Sequence, residues 1–128
     1  MDFKNMTSSE LAEVMVNYIN RVGHLKNVIG RYLDGPDNSS ISANRIKIEY
    51  KQLKEELRAD AHYLDLLKNH NDNYLYSHIF SPSIREAAAW GFTVPSNSSI
   101  NYAMFSSVSD AYYKLTKYYS LAQWEELI

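Results

Sequence analysis

The stretch from Ile41 to Asn69 constrains the fold more than any other part of the chain, because its apolar residues recur with the period of one long helix. Four apolar residues follow one another at steps of four, three and four: Ile46, Tyr50, Leu53 and Leu57. This spacing places their side chains on one stripe of a 3.6-residue helix. The pattern therefore predicts a long helix that buries this stripe.

Charged side chains flank the apolar stripe on both sides. One flank is a basic ridge formed by Lys47, Lys51, Lys54 and Arg58. The other flank is mostly acidic and is formed by Arg45, Glu49, Gln52, Glu56 and Asp60. An apolar seam between a positive and a negative flank is typical of a short coiled-coil segment.

The seam predicts a mode of self-association. When its four apolar residues take the a and d positions of a heptad, Glu49 falls at g and Lys54 at e. A parallel homodimer would then pair Glu49 with Lys54 of the second copy. Asp60 interrupts the pattern after about two heptads, which is too short for a freestanding coiled coil. The shortness of the seam favours the alternative, a bundle helix that packs against its own chain.

A first helix and a turn precede this segment. Thr7 and Glu10 have capping-box spacing, which predicts a helix start near Ser8. Its apolar stripe comprises Leu11, Met15, Tyr18, Val22, Leu25, Ile29 and Tyr32. Residues 34–40 combine Asp, Gly, Pro, Asn and Ser, which favour turns and break helices. Because the connection is short, we expect the two helices to form a long antiparallel hairpin.

Two glycines lie inside the first predicted helix, at Gly23 and Gly30. Each glycine costs about 1 kcal/mol relative to alanine in a helix interior. This cost indicates that another helix crosses closely on that side.

Two more helices are predicted after the hairpin. Ser81 and Pro82 form a helix start and Gly91 a stop, which predicts a short helix from Pro82 to Trp90. Helical periodicity from Ser98 onward predicts a long C-terminal helix. Periodicity leaves residues 70–80 open between helix, strand and loop. The overall prediction is an all-α helical bundle in a single domain, residues 1–128, built on the long antiparallel hairpin.

Composition excludes several classes of protein. With no cysteine, the chain has no disulfide framework, thiol nucleophile or cysteine zinc site. A formal net charge of −2 argues against a protein that coats nucleic acid generally. No secretory signal or membrane-length apolar run is present, so we expect a cytoplasmic protein without a membrane partner. We expect no cofactor and no small-molecule ligand, since the four glycines stand alone and form no phosphate-binding loop.

The chain has eleven tyrosines against four phenylalanines, and tyrosine excess often marks a contact surface. The C-terminal helix carries a second apolar stripe beside its first one, formed by Phe105, Tyr112 and Tyr119. Because one neighbouring helix cannot cover both stripes, this helix is either central in the bundle or part of an intermolecular surface, and we predict a partner-binding surface there. Its residues are Phe105, Tyr112, Tyr113, Tyr119 and Trp124, to which the seam adds Glu49 and Lys54. The alternative is a wet rim of the core.

DNA binding is the second hypothesis. Residues 82–106 resemble a helix-turn-helix with a long turn, since Ala87 is followed four residues later by Gly91. The supposed recognition helix carries no arginine near its start, so phosphate contacts would come from elsewhere. The candidates are the basic ridge residues Lys47, Lys51, Lys54 and Arg58.

Enzymatic chemistry is weakly indicated. His62, His70 and His78 recur every eight residues, a spacing that does not align them on one helical face, so we expect no metal site. Arg58 and His62 resemble the arginine–histidine pair of helical HEPN ribonucleases, although only three residues separate them here. That resemblance implies phosphate contact by both side chains. Our main expectation remains a non-enzymatic protein-binding or self-associating module, such as an adaptor, inhibitor or accessory protein of a mobile element.

Overall fold

The chain folds as an all-α helical bundle. The computed structural model describes residues 3–35, 38–67, 71–91, 94–95 and 99–128, and within these ranges it contains no strand. The long helices are α1 (Ser8–Asp34), α2 (Ser40–Leu67) and α4 (Tyr102–Trp124). A third helical segment (74–91) consists of two helical residues at 74–75, a π-helical turn Tyr76–Phe80, the α-helix α3 (Ser81–Glu86) and a second π-helical stretch Ala87–Gly91. Helix α1 contacts both α2 and α4, and the third segment packs between α2 and α4.

Helix α1 begins where the capping box predicts. The Glu10 amide donates to Thr7 Oγ1 at 3.3 Å, and the Thr7 amide donates to Glu10 Oε1 at 3.0 Å. At the other end the Gly35 amide donates to the Arg31 carbonyl at 2.9 Å. These reciprocal bonds satisfy amides that a helix start otherwise leaves unpaired.

The predicted hairpin of α1 and α2 is confirmed. The two helices run antiparallel, because Tyr18 hydrogen-bonds Asp60 and Arg21 forms an ion pair with Glu56. The Ser42 amide donates to Ser39 Oγ at 3.2 Å at the start of α2. The predicted end of this helix at Asn69 lies outside the described residues. The predicted apolar stripe of α2 is buried within the chain: Ile46, Tyr50, Leu53 and Leu57.

The third helical segment starts earlier than predicted. Asn73 Oδ1 accepts from the Leu75 amide at 2.9 Å, and the chain is helical from Tyr74. The segment left open by periodicity is therefore helical from that residue on, and its apolar residues enter the core: Leu75, Tyr76, Ile79, Phe80 and Ile84. A short apolar run has no distinguishable period, which is why the sequence pattern did not assign it.

Helix α4 starts later than the predicted Ser98, which lies outside the described residues. Asn101 is its N-cap, since the Met104 amide donates to Asn101 Oδ1 at 3.0 Å. The helix continues without interruption through its serine-rich turn and ends at Trp124.

The predicted close crossing at the α1 glycines is confirmed, and α4 is the helix that crosses. A Cβ atom on Gly23 would lie 2.7 Å from a ring carbon of Tyr112. A Cβ atom on Gly30 would lie 3.4 Å from a ring carbon of Phe105. The missing side chains therefore let the two aromatic rings lie directly against α1.

None of the helices in the described part of the chain combines the length and apolar character that crossing a membrane requires.

Candidate partner-binding surface

The structure corrects the predicted intermolecular seam. All four of its apolar residues are buried in the core of their own chain. Lys54 is only 7% exposed, and its Nζ donates to the Val94 carbonyl at 3.1 Å. Tyr50 donates its hydroxyl to the same carbonyl at 2.6 Å. Because Lys54 lies inside the bundle, it cannot pair with Glu49 of a second copy, and that part of the prediction is wrong.

Burial also changes the acid–base behaviour of these two residues. Desolvation lowers the pKa of Lys54, and the nearby charge of Arg58 lowers it further. Desolvation raises the pKa of Tyr50 to about 12. Both shifts favour the neutral side chain. The hydrogen bonds that Lys54 and Tyr50 donate to the Val94 carbonyl hold this segment against α2.

Glu49 occupies a different environment. It is partly buried and lines a groove between α1 and α2, together with Arg21 and His24. It remains accessible from solvent along this groove.

The stripe formed by Phe105, Tyr112 and Tyr119 packs largely within the chain. Phe105 and Tyr112 lie against the glycines of α1, and Tyr119 lies beside Val16. All three side chains are partly buried against the core. Close approach of α1 and α4 lets one helix cover a wider apolar face than the sequence reasoning allowed. These contacts cover part of the stripe, and its role in partner binding stays a prediction.

Tyr113 and Trp124 are the members of the predicted surface that remain open. Tyr113 is 58% exposed and Trp124 is 84% exposed. The ammonium of Lys114 lies 5.8 Å from the centroid of the Tyr113 ring. Their role in partner binding stays a prediction.

The basic ridge is interrupted. Lys51 and Arg58 are exposed and Lys47 is partly exposed, but Lys54 is buried. Parts of the proposed helix-turn-helix, residues 92–93 and 96–98, lie outside the described residues. Arg58 and His62 are both exposed on α2. DNA binding and the HEPN-like interpretation both stay predictions.

No group of three histidine, aspartate or glutamate side chains in the described ranges is placed to hold a metal ion. His70 itself lies outside those ranges.

The structure reveals a surface that the sequence reasoning missed, the outward stripe of α2. Its eight residues follow at steps of four and three, and all are exposed: Ile41, Arg45, Ile48, Gln52, Glu55, Ala59, His62 and Leu66. Ile41 is 72% exposed, Ile48 58% and Leu66 64%. We name these eight residues the α2 stripe. In the sequence, this stripe is a second heptad pattern on the side of α2 opposite the buried pattern. It is hard to recognise because polar residues lie between its apolar residues.

The α2 stripe adjoins a groove that runs between α1 and α2. Part of this groove encloses about 690 Å³ and includes four carboxylate side chains among its lining: Glu10, Glu13, Glu56 and Asp60. The other end of the groove is lined by His24, Arg31 and Arg45 among others. The face of the hairpin thus has an acidic end near the start of α1 and a basic end near the connection to α2.

Asp60 and Tyr18 close the acidic end of the groove on its inner side. The Tyr18 hydroxyl donates to Asp60, and burial raises the pKa of both groups. Tyr18 is 4% exposed, so this hydrogen bond belongs to the core rather than to the open face.

Comparisons with protein-family models, with curated proteins and with solved structures each found no match to the chain.

Proposed function

We propose that this chain is a non-enzymatic, cytoplasmic protein-binding module, of the adaptor, inhibitor or accessory type, and that it docks a helix on the α2 stripe. The observation that supports the proposal is the exposure of Ile41, Ile48 and Leu66 on one helical line. Heptad spacing is the pattern by which one helix packs along another. An exposed apolar line of this kind is typical of an interaction site.

A docked helix would cover the exposed apolar area of Ile41, Ile48 and Leu66, and this burial contributes free energy to binding. Complete burial of an isoleucine or leucine side chain contributes about 2 kcal/mol. With more than half of each side chain still exposed, covering Ile41, Ile48 and Leu66 would contribute roughly 4 kcal/mol in total. Micromolar binding requires about 8 kcal/mol, so the stripe supplies a large share and the adjoining groove must supply more.

Site-specific photo-crosslinking tests this proposal. A photoreactive amino acid at Ile48 should form a covalent adduct with a protein when the chain is irradiated in its native cell extract. Ile41→Lys together with Leu66→Lys should suppress the adduct while leaving the circular dichroism spectrum unchanged. The matched control places the same photoreactive residue at Ser120, which is exposed on α4. Equal adduct formation at both positions, or none at Ile48, would refute the proposal.

Nucleic-acid binding is the second candidate, supported by the exposure of Lys51 and Arg58. It predicts an affinity that falls steeply with salt concentration, and each phosphate contact removed by Lys51→Gln or Arg58→Gln should reduce the salt slope by about 1. Binding that shows no salt dependence would exclude this candidate.

A further inference from the structure

We propose that the helix docked on the α2 stripe is α2 of a second copy. The two α2 helices run antiparallel, and the two-fold axis that relates them crosses α2 at the level between Leu53 and Lys54. This inference rests on the proposed function, because it names the occupant of the same surface. A two-fold dimer uses the same surface on both copies, so the stripe must be complementary to its own reversed image. The sequence of the stripe meets this requirement.

The complementarity is visible in the pairs that the axis creates. It places Ile41 opposite Leu66 and Ile48 opposite Ala59 of the second copy. It also places Gln52 opposite Glu55, where an amide N–H can donate to a carboxylate. When Ile41 and Ile48 are assigned to the d positions of a heptad, each pair across the interface joins a d residue of one helix to an a residue of the other. Large aliphatic side chains thus meet apolar ones in two of the four pairs, Ile41 with Leu66 and Ile48 with Ala59, and the other two pairs are polar.

A parallel arrangement would be unfavourable at two layers. It would place Arg45 against Arg45 near one end of the stripe and Glu55 against Glu55 of the second copy near its centre. Like charges placed directly opposite each other and partly desolvated oppose association. The antiparallel arrangement removes both contacts, since Arg45 then meets His62 and Glu55 meets Gln52.

The charges beside the stripe support the same orientation at its ends. Two-fold symmetry brings the basic end of the groove, with Arg31 and Arg45, toward the acidic end of the second copy. That acidic end carries Glu10 and Glu13. Opposite charges at both ends select the antiparallel orientation and speed encounter.

Two like-charge approaches oppose the arrangement near its centre. Glu49 would approach Glu56 of the second copy, but Glu56 is already paired with Arg21 of its own chain. Lys51 would approach Arg58 of the second copy at the exposed rim, where water and salt screen the repulsion. These rim contacts weaken the antiparallel dimer, whereas the like-charge contacts of the parallel arrangement, Arg45 with Arg45 and Glu55 with Glu55, lie within the stripe itself, where they are less screened.

The size of the contact predicts a reversible dimer. The stripe spans about 37 Å along α2, and a helix is about 11 Å wide, so α2 alone offers about 400 Å² per copy. Including the neighbouring row of α1 roughly doubles this to about 1,600 Å² in total, a standard interface. Few large apolar anchors lie within it, so we expect dissociation in the micromolar range.

Disulfide trapping tests the orientation of the two helices. Because the chain has no natural cysteine, only the introduced cysteines can form a disulfide. Ile41→Cys and Leu66→Cys are prepared separately, one with an affinity tag, then mixed and oxidised. In the proposed dimer these positions lie opposite each other, whereas the two Ile41 positions are about 37 Å apart. We expect the mixed disulfide to exceed either homodimeric product at least tenfold. Ser120→Cys, on the far helix α4, is the control and should form no specific product.

The outcomes separate the two proposals. Predominant Ile41→Cys homodimers would show a parallel dimer and overturn the antiparallel inference. Only non-specific product, together with a monomeric mass at all concentrations, would overturn self-association. If photo-crosslinking at Ile48 then captured a different protein, the proposed function would stand without the dimer. If it captured none, both would fail.

Discussion

Replacing Gly23 by alanine tests the packing of α1 against α4 at its tightest point. The added Cβ would lie 2.7 Å from Cε1 and 3.3 Å from Cδ1 of the Tyr112 ring. The ring is partly buried against the core, so its retreat is restricted. Gly30 provides a matched control in the same helix, since its added Cβ would meet Phe105 at an ordinary 3.4 Å.

The expected changes in the free energy of unfolding have opposite signs for Gly23→Ala and Gly30→Ala. Alanine in place of glycine in a helix interior contributes about 1 kcal/mol to stability. At Gly30 this gain should be nearly complete, giving a stabilisation of about 0.5–1 kcal/mol. At Gly23 an overpacking cost of about 1–3 kcal/mol opposes it. The net effect of Gly23→Ala should therefore be a destabilisation of up to about 2 kcal/mol.

Urea unfolding followed by far-UV circular dichroism measures both effects. A double-mutant cycle adds Tyr112→Ala, which removes the ring, so Gly23→Ala should become stabilising in that background. The reasoning would be refuted if Gly23→Ala stabilised the protein as much as Gly30→Ala does. It would also be refuted if the effect of Gly23→Ala were independent of Tyr112.

Three further predictions concern buried polar groups. Lys54→Glu should destabilise the fold by at least about 2 kcal/mol in urea unfolding, because the buried carboxylate would face the Val94 carbonyl. The control Lys51→Glu, at an exposed position, should change the free energy of unfolding by less than about 0.5 kcal/mol. Burial raises the pKa of Tyr50 to about 12, so the unfolded chain loses this proton first. Stability should be full below about pH 10 and fall by about 1.4 kcal/mol per pH unit up to about pH 12. Tyr50→Phe should flatten this alkaline slope in pH-dependent unfolding, and an unchanged slope would contradict the assignment. Asn71 is 9% exposed and donates from Nδ2 to the Phe3 carbonyl at 2.9 Å. Asn71→Ala should cost about 1–3 kcal/mol in urea unfolding, and a change below about 0.5 kcal/mol would show that this bond contributes little.

The features that the sequence predicted well depend on neighbouring residues. The capping box at Thr7, the turn after Asp34 and the cost of Gly23 each follow from local chemistry. The antiparallel hairpin then follows from the short connection. These inferences needed no knowledge of which distant segments meet.

The incorrect inferences depend on contacts between distant segments. Nothing near Lys54 in the sequence shows that Val94, forty residues later, supplies a carbonyl for its ammonium. Nor does the sequence show how deeply Phe105 and Tyr112 pack against Gly30 and Gly23 of α1. The start of the third helical segment at Tyr74 does not follow from the sequence, because a short apolar run does not reveal its period.

The α2 stripe was present in the sequence but had a competing interpretation. Ile46 and Leu53 form the stronger apolar pattern, so Ile41 and Ile48 were not recognised as a pattern of their own. Burial in the structure separates the two patterns, since one is covered and the other is exposed.

The most direct test of self-association through the α2 stripe is the mass of the protein in solution. Light scattering after size-exclusion chromatography, at several concentrations, should compare the unaltered chain with Ile48→Lys. We predict a monomer–dimer equilibrium in the micromolar range for the unaltered chain. Ile48→Lys should be monomeric at every concentration and should unfold at the same urea concentration as the unaltered chain when both are diluted below the dimerisation range. A monomeric mass for the unaltered chain throughout, or the same dimerisation in both proteins, would contradict the account.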